Sequence, residues 1–132
     1  MVAAFPFTSV VLVLALVVYT WMSFKVGGAR GKYNVQAPST DGPPEFLRIY
    51  RAHMNTLEQL VVFVPALALF AAAWGDMLAA IIGVFWPIGR VWYAQAYYQA
   101  AEKRGPGFGI SFLSSAILLL GGLIGAIMEI AQ

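Results

Sequence analysis

The 132-residue sequence has no cysteine and a single histidine, His53. Without thiols there is no disulfide, no thiolate metal ligand and no cysteine nucleophile. One imidazole cannot hold zinc without carboxylate help, and no metal site is expected. Charge of either sign is also scarce. Charged residues make up 11% of the chain, against about a quarter in an average soluble domain. A net charge of +2 is too weak a basic signal for a nucleic-acid partner. Residues 1–24, 59–75, 77–89, 91–101 and 105–128 contain no Asp, Glu, Lys or Arg at all. A soluble enzyme core and a disordered tail are thereby excluded.

What fills those stretches is apolar. Hydrophobic residues are 61% of the chain and the mean hydropathy is +0.76. A bilayer core of about 30 Å needs about 20 apolar residues in a helix. The pattern predicts an all-α membrane protein, a four-transmembrane-helix bundle forming a single domain over residues 1–132. Its helices are expected at about 7–24, 44–73, 77–101 and 108–130. The first has no basic residue before it and no clear cleavage site after it, so it reads as a retained helix rather than a signal peptide. Residues 27–44, GGARGKYNVQAPSTDGPP, read as a loop. Asp41 and Glu45 are expected to cap the second helix, and Pro65 to bend it. Asp76 marks a short turn. Gly121, Gly122, Gly125 and Ala126 form a small-residue stripe of the kind that lets helices approach closely in lipid.

Seven of the eight basic residues, Lys25, Arg30, Lys32, Arg48, Arg51, Lys103 and Arg104, lie in or beside the first and third loops. By the positive-inside rule those loops face the cytoplasm and both termini face away. The eighth, Arg90, falls within a helix. An ionisable residue at a helix centre costs about 2.5–3.5 kcal/mol on insertion scales, so it needs a reason. Arg51, Asn55 and Glu58 share one face of the second helix; Arg90, Tyr93 and Tyr97 share one face of the third. Two readings are open. Arg90 and Glu58 neutralise each other as a buried ion pair beneath an interfacial tyrosine belt, or the two stripes meet as a binding site. Trp21, Trp74, Trp86 and Trp92 read as packing or interface anchors, and His53 as a hydrogen-bonded packing residue.

The string RAHMNTLEQ at 51–59 resembles the R-A-x-x-N-x-x-E signature of the MAPEG family, the membrane-associated proteins in eicosanoid and glutathione metabolism. PPEFLRIYRAHMNTLE (43–58) and GRVWYAQAYY (89–98) are similar to second- and third-helix stretches in its glutathione-transferase and leukotriene-synthase branch. Gln59, His53 and Gly31 depart from the leukotriene-synthesising proteins.

The resemblance implies a homotrimer that binds glutathione, as co-substrate, at its subunit interfaces. Carried over by position, Arg30, Arg51, Asn55, Glu58, Arg90, Tyr93, Tyr97 and Ser23 are glutathione contacts, and Arg104 is the arginine that activates the thiol. The implied function is a membrane-bound glutathione transferase acting on lipophilic electrophiles, with possible reduction of lipid hydroperoxides. The partners are then glutathione, the electrophile or hydroperoxide, membrane lipids and further copies of the chain. A polar stripe that one chain cannot enclose, together with the glycine-rich fourth helix, argues for assembly. One alternative is a non-catalytic lipid-binding scaffold of the 5-lipoxygenase-activating type, against which Arg51, Asn55, Glu58 and Arg104 speak. A small multidrug transporter needs a carboxylate in its first helix, and residues 1–24 have none.

Overall fold

The computed structural model describes all of residues 1–132 and is built from helices. α1 spans Pro6–Tyr33, α2 Pro44–Trp74, α3 Asp76–Gly83, α4 Phe85–Gln99 and α5 Gly105–Ile130. A 3₁₀ turn, Ala101–Arg104, joins α4 to α5. Four segments are long and apolar enough to cross a membrane: Pro6–Tyr33, Pro44–Trp74, Asp76–Gln99 and Ala101–Ile130. The expected all-α, four-span architecture is therefore present, with several boundaries moved for identifiable reasons.

The first helix does not stop near residue 24; it runs through the expected loop to Tyr33. Each glycine in a helix interior costs only about 1 kcal/mol, and Val26 and Ala29 are buried along this stretch. Arg30 and Lys32 in the last turn suit the helix dipole. The helix ends where Asn34 turns left-handed (φ 55°) and donates its backbone N–H to the Arg30 carbonyl.

The third span is two helices rather than one. Pro87 has no N–H to offer the Gly83 carbonyl and its ring crowds that oxygen, so α3 ends at Gly83 and α4 begins at Phe85. Pro65, by contrast, sits inside the unbroken α2. α5 begins at Gly105, ahead of the expected Phe108, because Pro106 is suited to a first helical turn.

Asp76 is more than a turn residue. It opens α3, and its carboxylate accepts the backbone N–H groups of Phe7 (3.0 Å) and Thr8 (2.7 Å) at the start of α1. The Thr8 hydroxyl donates back to the Asp76 carbonyl at 3.2 Å. An acid on one helix thus satisfies the free donors of another. Asp41 does not play the capping part expected of it: α2 starts from Pro43 without a side-chain cap, and only Glu45 stands in its first turn.

The apolar core gathers Val11, Ala15, Leu60, Phe63, Leu67, Phe70, Trp86 and Leu118. Phe63 and Trp86 stack at 4.6 Å, and the Trp74 indole donates to the Gly121 carbonyl at 2.8 Å. The small-residue stripe expected to serve assembly is used inside the chain. Gly121 faces the Phe70 ring, Gly122 lies on Leu69 and Gly125 on Ala73, so α2 covers it. A second close approach lies at the other end of α5. A Cβ on Gly107 would collide with the Tyr93 backbone and meet the Gly89 carbonyl oxygen at 2.8 Å, while Gly109 has nothing within 4 Å.

These two glycines should respond oppositely to the same substitution. Gly109→Ala is expected to be neutral or to stabilise by up to about 1 kcal/mol, whereas Gly107→Ala should destabilise by about 1–3 kcal/mol. Thermal unfolding of the two variants in detergent separates them; equal midpoints would mean that α4 and α5 do not cross at Gly107.

Candidate functional site

The polar residues meet at one end of the bundle, where the C-terminal end of α4, the 3₁₀ turn and the start of α5 face the first half of α2. α2 presents Arg51, Asn55 and Glu58, spaced about one turn apart, and α4 presents Tyr93 and Tyr97. Together with Met54 and Arg104 these line a cavity of about 170 Å³. The two stripes expected from the sequence therefore face one another. A larger, open cavity of about 500 Å³ adjoins it, sharing Asn55, Tyr93 and Arg104 and adding Glu102, Gly105 and Phe108.

Arg104 reaches this junction because the 3₁₀ turn is tight. Its guanidinium donates to the Ala101 carbonyl and lies 5.4 Å from the Tyr97 ring centroid. Tyr93 and Tyr97 meet edge-on at 5.5 Å. Arg48 fixes the same end from the other side, its Nε donating to the Tyr98 carbonyl at 3.2 Å.

Arg90 lies beneath, fully buried. It does not pair with Glu58, which is exposed. Its Nε donates to Ser111 Oγ at 3.1 Å, and its Nη1 to Asn55 Oδ1 at 2.8 Å and Thr56 Oγ1 at 3.2 Å. The guanidinium carbon sits 4.2 Å from the Tyr93 ring centroid and 5.5 Å from that of Phe108, within cation–π range. Only Nη2 lacks a partner. The buried ion-pair reading is thus replaced by a charge held in neutral dipoles and ring faces. It leaves the Glu58 carboxylate open to the cavity. It also orients Asn55: because arginine only donates, the amide oxygen must face Arg90, which leaves the amide N–H₂ as the donor available to the cavity.

Not every expected residue is in this group. Ser23 is exposed on α1. Arg30 donates to the carbonyls of Val35 (3.4 Å) and Ser39 (2.7 Å) and lies 5.5 Å from the Phe46 ring, closing the loop after α1. Neither lines either cavity within one chain. His53 is a packing residue stacked on Tyr19 at 4.7 Å, but its Nε2 has no hydrogen-bond partner. Sequence reasoning missed Thr56, Ser111, Glu102 and Phe108. Thr56 and Ser111 carried a signal, since hydroxyls in apolar helices are the natural partners of a buried arginine. Glu102 was visible only as part of a charged turn.

Fold and site together define a membrane-embedded helical protein with a cation-rich polar cavity at one end. Residues 8–124 match the model of the MAPEG family, to which the chain belongs. An uncharacterised protein of Synechocystis sp. is 44% identical over 124 residues, covering 94% of this chain and 90% of that one. Microsomal glutathione S-transferase 2 of Homo sapiens is 35% identical over 117 residues, covering 87% and 78% respectively. Leukotriene C4 synthase of Rattus norvegicus is 33% identical over 94 residues, 71% of this chain and 63% of that protein. With its four spans, the chain is an integral, multi-pass membrane protein.

Removing the Arg90 charge should damage the fold as well as the cavity. Arg90→Met leaves the Asn55 oxygen and two hydroxyls without their donor, at about 1–3 kcal/mol for a buried polar group left unsatisfied. Arg90→Lys, a point charge with no planar fork, should recover part of that loss. Thermal midpoints in detergent should rank native above Lys above Met; an Arg90→Met midpoint equal to native would remove Arg90 as the structural anchor.

Proposed function

We propose that the chain is a membrane-bound glutathione transferase whose polar cavity holds glutathione and whose Arg104 stabilises its thiolate. The single observation that carries this reading is the convergence of Arg51, Asn55, Glu58, Tyr93, Tyr97 and Arg104 on one cavity. The names of the relatives, a glutathione S-transferase and a leukotriene C4 synthase, support it.

Glutathione carries two carboxylates, an ammonium and a thiol. Arg51 offers a guanidinium fork for a carboxylate, and Glu58 a carboxylate for the ammonium. The Asn55 amide N–H₂ and the two phenols serve the remaining polar groups; Arg90, expected among the contacts, is buried and lines neither cavity, and it acts by orienting Asn55. A free thiol has a pKa near 8.5 and is mostly protonated at neutral pH. Lowering it by about two units takes about 2.7 kcal/mol of preferential stabilisation of the anion, a task suited to the guanidinium at the cavity junction. With a chloronitrobenzene as electrophile, the thiol proton leaves to solvent and the thiolate sulfur bonds to the ring carbon bearing chlorine. Chloride then departs with the bonding pair. A lipid hydroperoxide is a second candidate acceptor for the same thiolate.

The same reading includes a homotrimer and a cytoplasmic orientation of the basic end. Support for assembly comes from the site rather than from the glycine stripe: Arg51, Glu58 and Arg104 are exposed in one chain. Ser23 and Arg30, if they serve glutathione, do so from a second copy. Native mass spectrometry in mild detergent should find three copies together; monomers alone would remove the interface site.

Affinity and thiolate formation should separate by mutation. Arg51→Ala and Glu58→Ala each remove a charge-assisted contact, about 1.5–3 kcal/mol, and should weaken glutathione binding by about ten- to a hundredfold in calorimetry. Arg104→Ala should leave affinity less affected, abolish the thiolate ultraviolet absorbance of bound glutathione, and lower kcat about thirty- to a hundredfold for a loss of about 2–3 kcal/mol. Unchanged absorbance and kcat would exclude Arg104 as the activator and point to the Tyr93 phenol.

A further inference from the structure

Two polar rungs join α2 to the antiparallel α4. The lower one is Arg90, whose Nη1 donates to Asn55 and Thr56. The upper one is Arg48, whose Nε donates to the Tyr98 carbonyl at 3.2 Å. Arg48 stands about two turns before Asn55, and Tyr98 about two turns after Arg90. Arg51, Tyr93 and Tyr97, in the interval between the rungs, line the smaller cavity. Arg48 is half-buried and lines neither cavity.

The upper rung falls where α4 has to stop. The last carbonyls of a helix have no N–H of their own helix to accept. An arginine can supply the donor and at the same time complement the negative end of the dipole. In a continued α4 the Tyr98 carbonyl would accept the N–H of residue 102; here it accepts Arg48. The Tyr98 ring packs beside Trp21 of α1, with centroids 6.2 Å apart. Just beyond, Ala100 is extended and the Lys103 N–H returns to the Ala100 carbonyl at 3.1 Å. Arg104 then folds back on the Ala101 carbonyl and the Tyr97 ring. The turn that carries Arg104 thus departs from a helix end pinned to α2.

We propose that Arg48 is a positioning residue for Arg104: by capping α4 it ends the helix at the height that brings the Arg104 guanidinium to the cavity. The proposal rests on the transferase reading and deepens it, assigning the alignment of the activating cation to a residue outside the cavity.

The test is glutathione-dependent turnover of 1-chloro-2,4-dinitrobenzene by the purified full-length protein in non-ionic detergent. Thiolate absorbance and calorimetric glutathione affinity are read on the same samples. Arg48→Met should lower kcat about tenfold, lower the thiolate absorbance at neutral pH, and move the acid limb of the kcat profile to higher pH. Affinity should stay within about threefold, because Arg51, Asn55 and Glu58 are untouched. Arg48→Lys keeps a donor but not the fork and should recover part of kcat; it carries the same comparison should Arg48→Met not fold. Lys103→Met removes a neighbouring exposed charge without touching the cap, and should change kcat less than about twofold. The deciding comparison is made in the Arg104→Ala background. There Arg48→Met should cost less than about twofold in kcat, whereas a residue that only stabilises the bundle costs the same factor in both backgrounds. Equal factors, or an unchanged kcat in Arg48→Met, overturn the proposal. So does an equal loss in Lys103→Met, which would assign the effect to surface charge. An Arg104→Ala kcat equal to that of the unsubstituted protein leaves Arg48 nothing to position and overturns it too. Absence of turnover by the unsubstituted protein would instead overturn the transferase reading, and this proposal with it.

Discussion

The arrangement of this bundle depends on one buried cation. Arg90 is placed in a helix that crosses the apolar layer, where an unsatisfied guanidinium would be costly. Its donors are met by Asn55 and Thr56 from α2 and by Ser111 from α5. Those bonds fix three helices about one point. Close approach of α4 and α5 is possible there because Gly89 and Gly107 present no side chains to the crossing. Tyr93, one turn beyond Arg90, and Tyr97, one turn further, then line one cavity with Arg51, Asn55 and Glu58.

Satisfying Arg90 with neutral dipoles has a chemical consequence. Had Glu58 been its partner, both charges would have been cancelled inside the protein. Instead Glu58 and Arg51 keep their charges at the cavity, and Asn55 is polarised so that its N–H₂ faces outward. The buried residue and the open ones thus form one graded system: a structural charge below, candidate ligand groups above, with Asn55 and Tyr93 belonging to both. The apolar faces of Tyr93 and Phe108 complete the enclosure of the guanidinium.

Much of this was legible from residue spacing. Charge-free runs located the four spans, and the i, i+4, i+7 placement of Arg51, Asn55 and Glu58 fixed their shared face. Signals that act between helices were not legible. Nothing local in the sequence says that Asp76 caps α1 sixty-odd positions earlier in the chain. The glycines at 27, 28 and 31 read as a loop because their propensity is poor, yet the helix continues through them with Val26 and Ala29 buried alongside. Pro65 and Pro87 have the same local chemistry, but only Pro87 coincides with a break. The Arg90–Glu58 pair failed for a related reason. Opposite charges on facing helices suggest a bond, but three nearby neutral oxygens were geometrically better placed.

The two adjoining cavities give the proposed chemistry a physical order. One is walled mainly by charges and phenols, suited to a hydrophilic tripeptide; the other is larger and takes in the Phe108 ring, which stacks on the exposed Phe112. A water-soluble and a membrane-soluble reactant have opposite partitioning, and they can meet only where a polar wall and an apolar path share an edge. Here the shared edge is Asn55, Tyr93 and Arg104. In the proposed reaction a guanidinium at that edge would act on charge developing between the two reactants. The 3₁₀ turn that carries Arg104 sets its height at this edge: in a continued α4, residue 104 would share the face of Tyr97 but stand two helical turns, about 10 Å, beyond it. Ala100, with its extended backbone, is the break that prevents this.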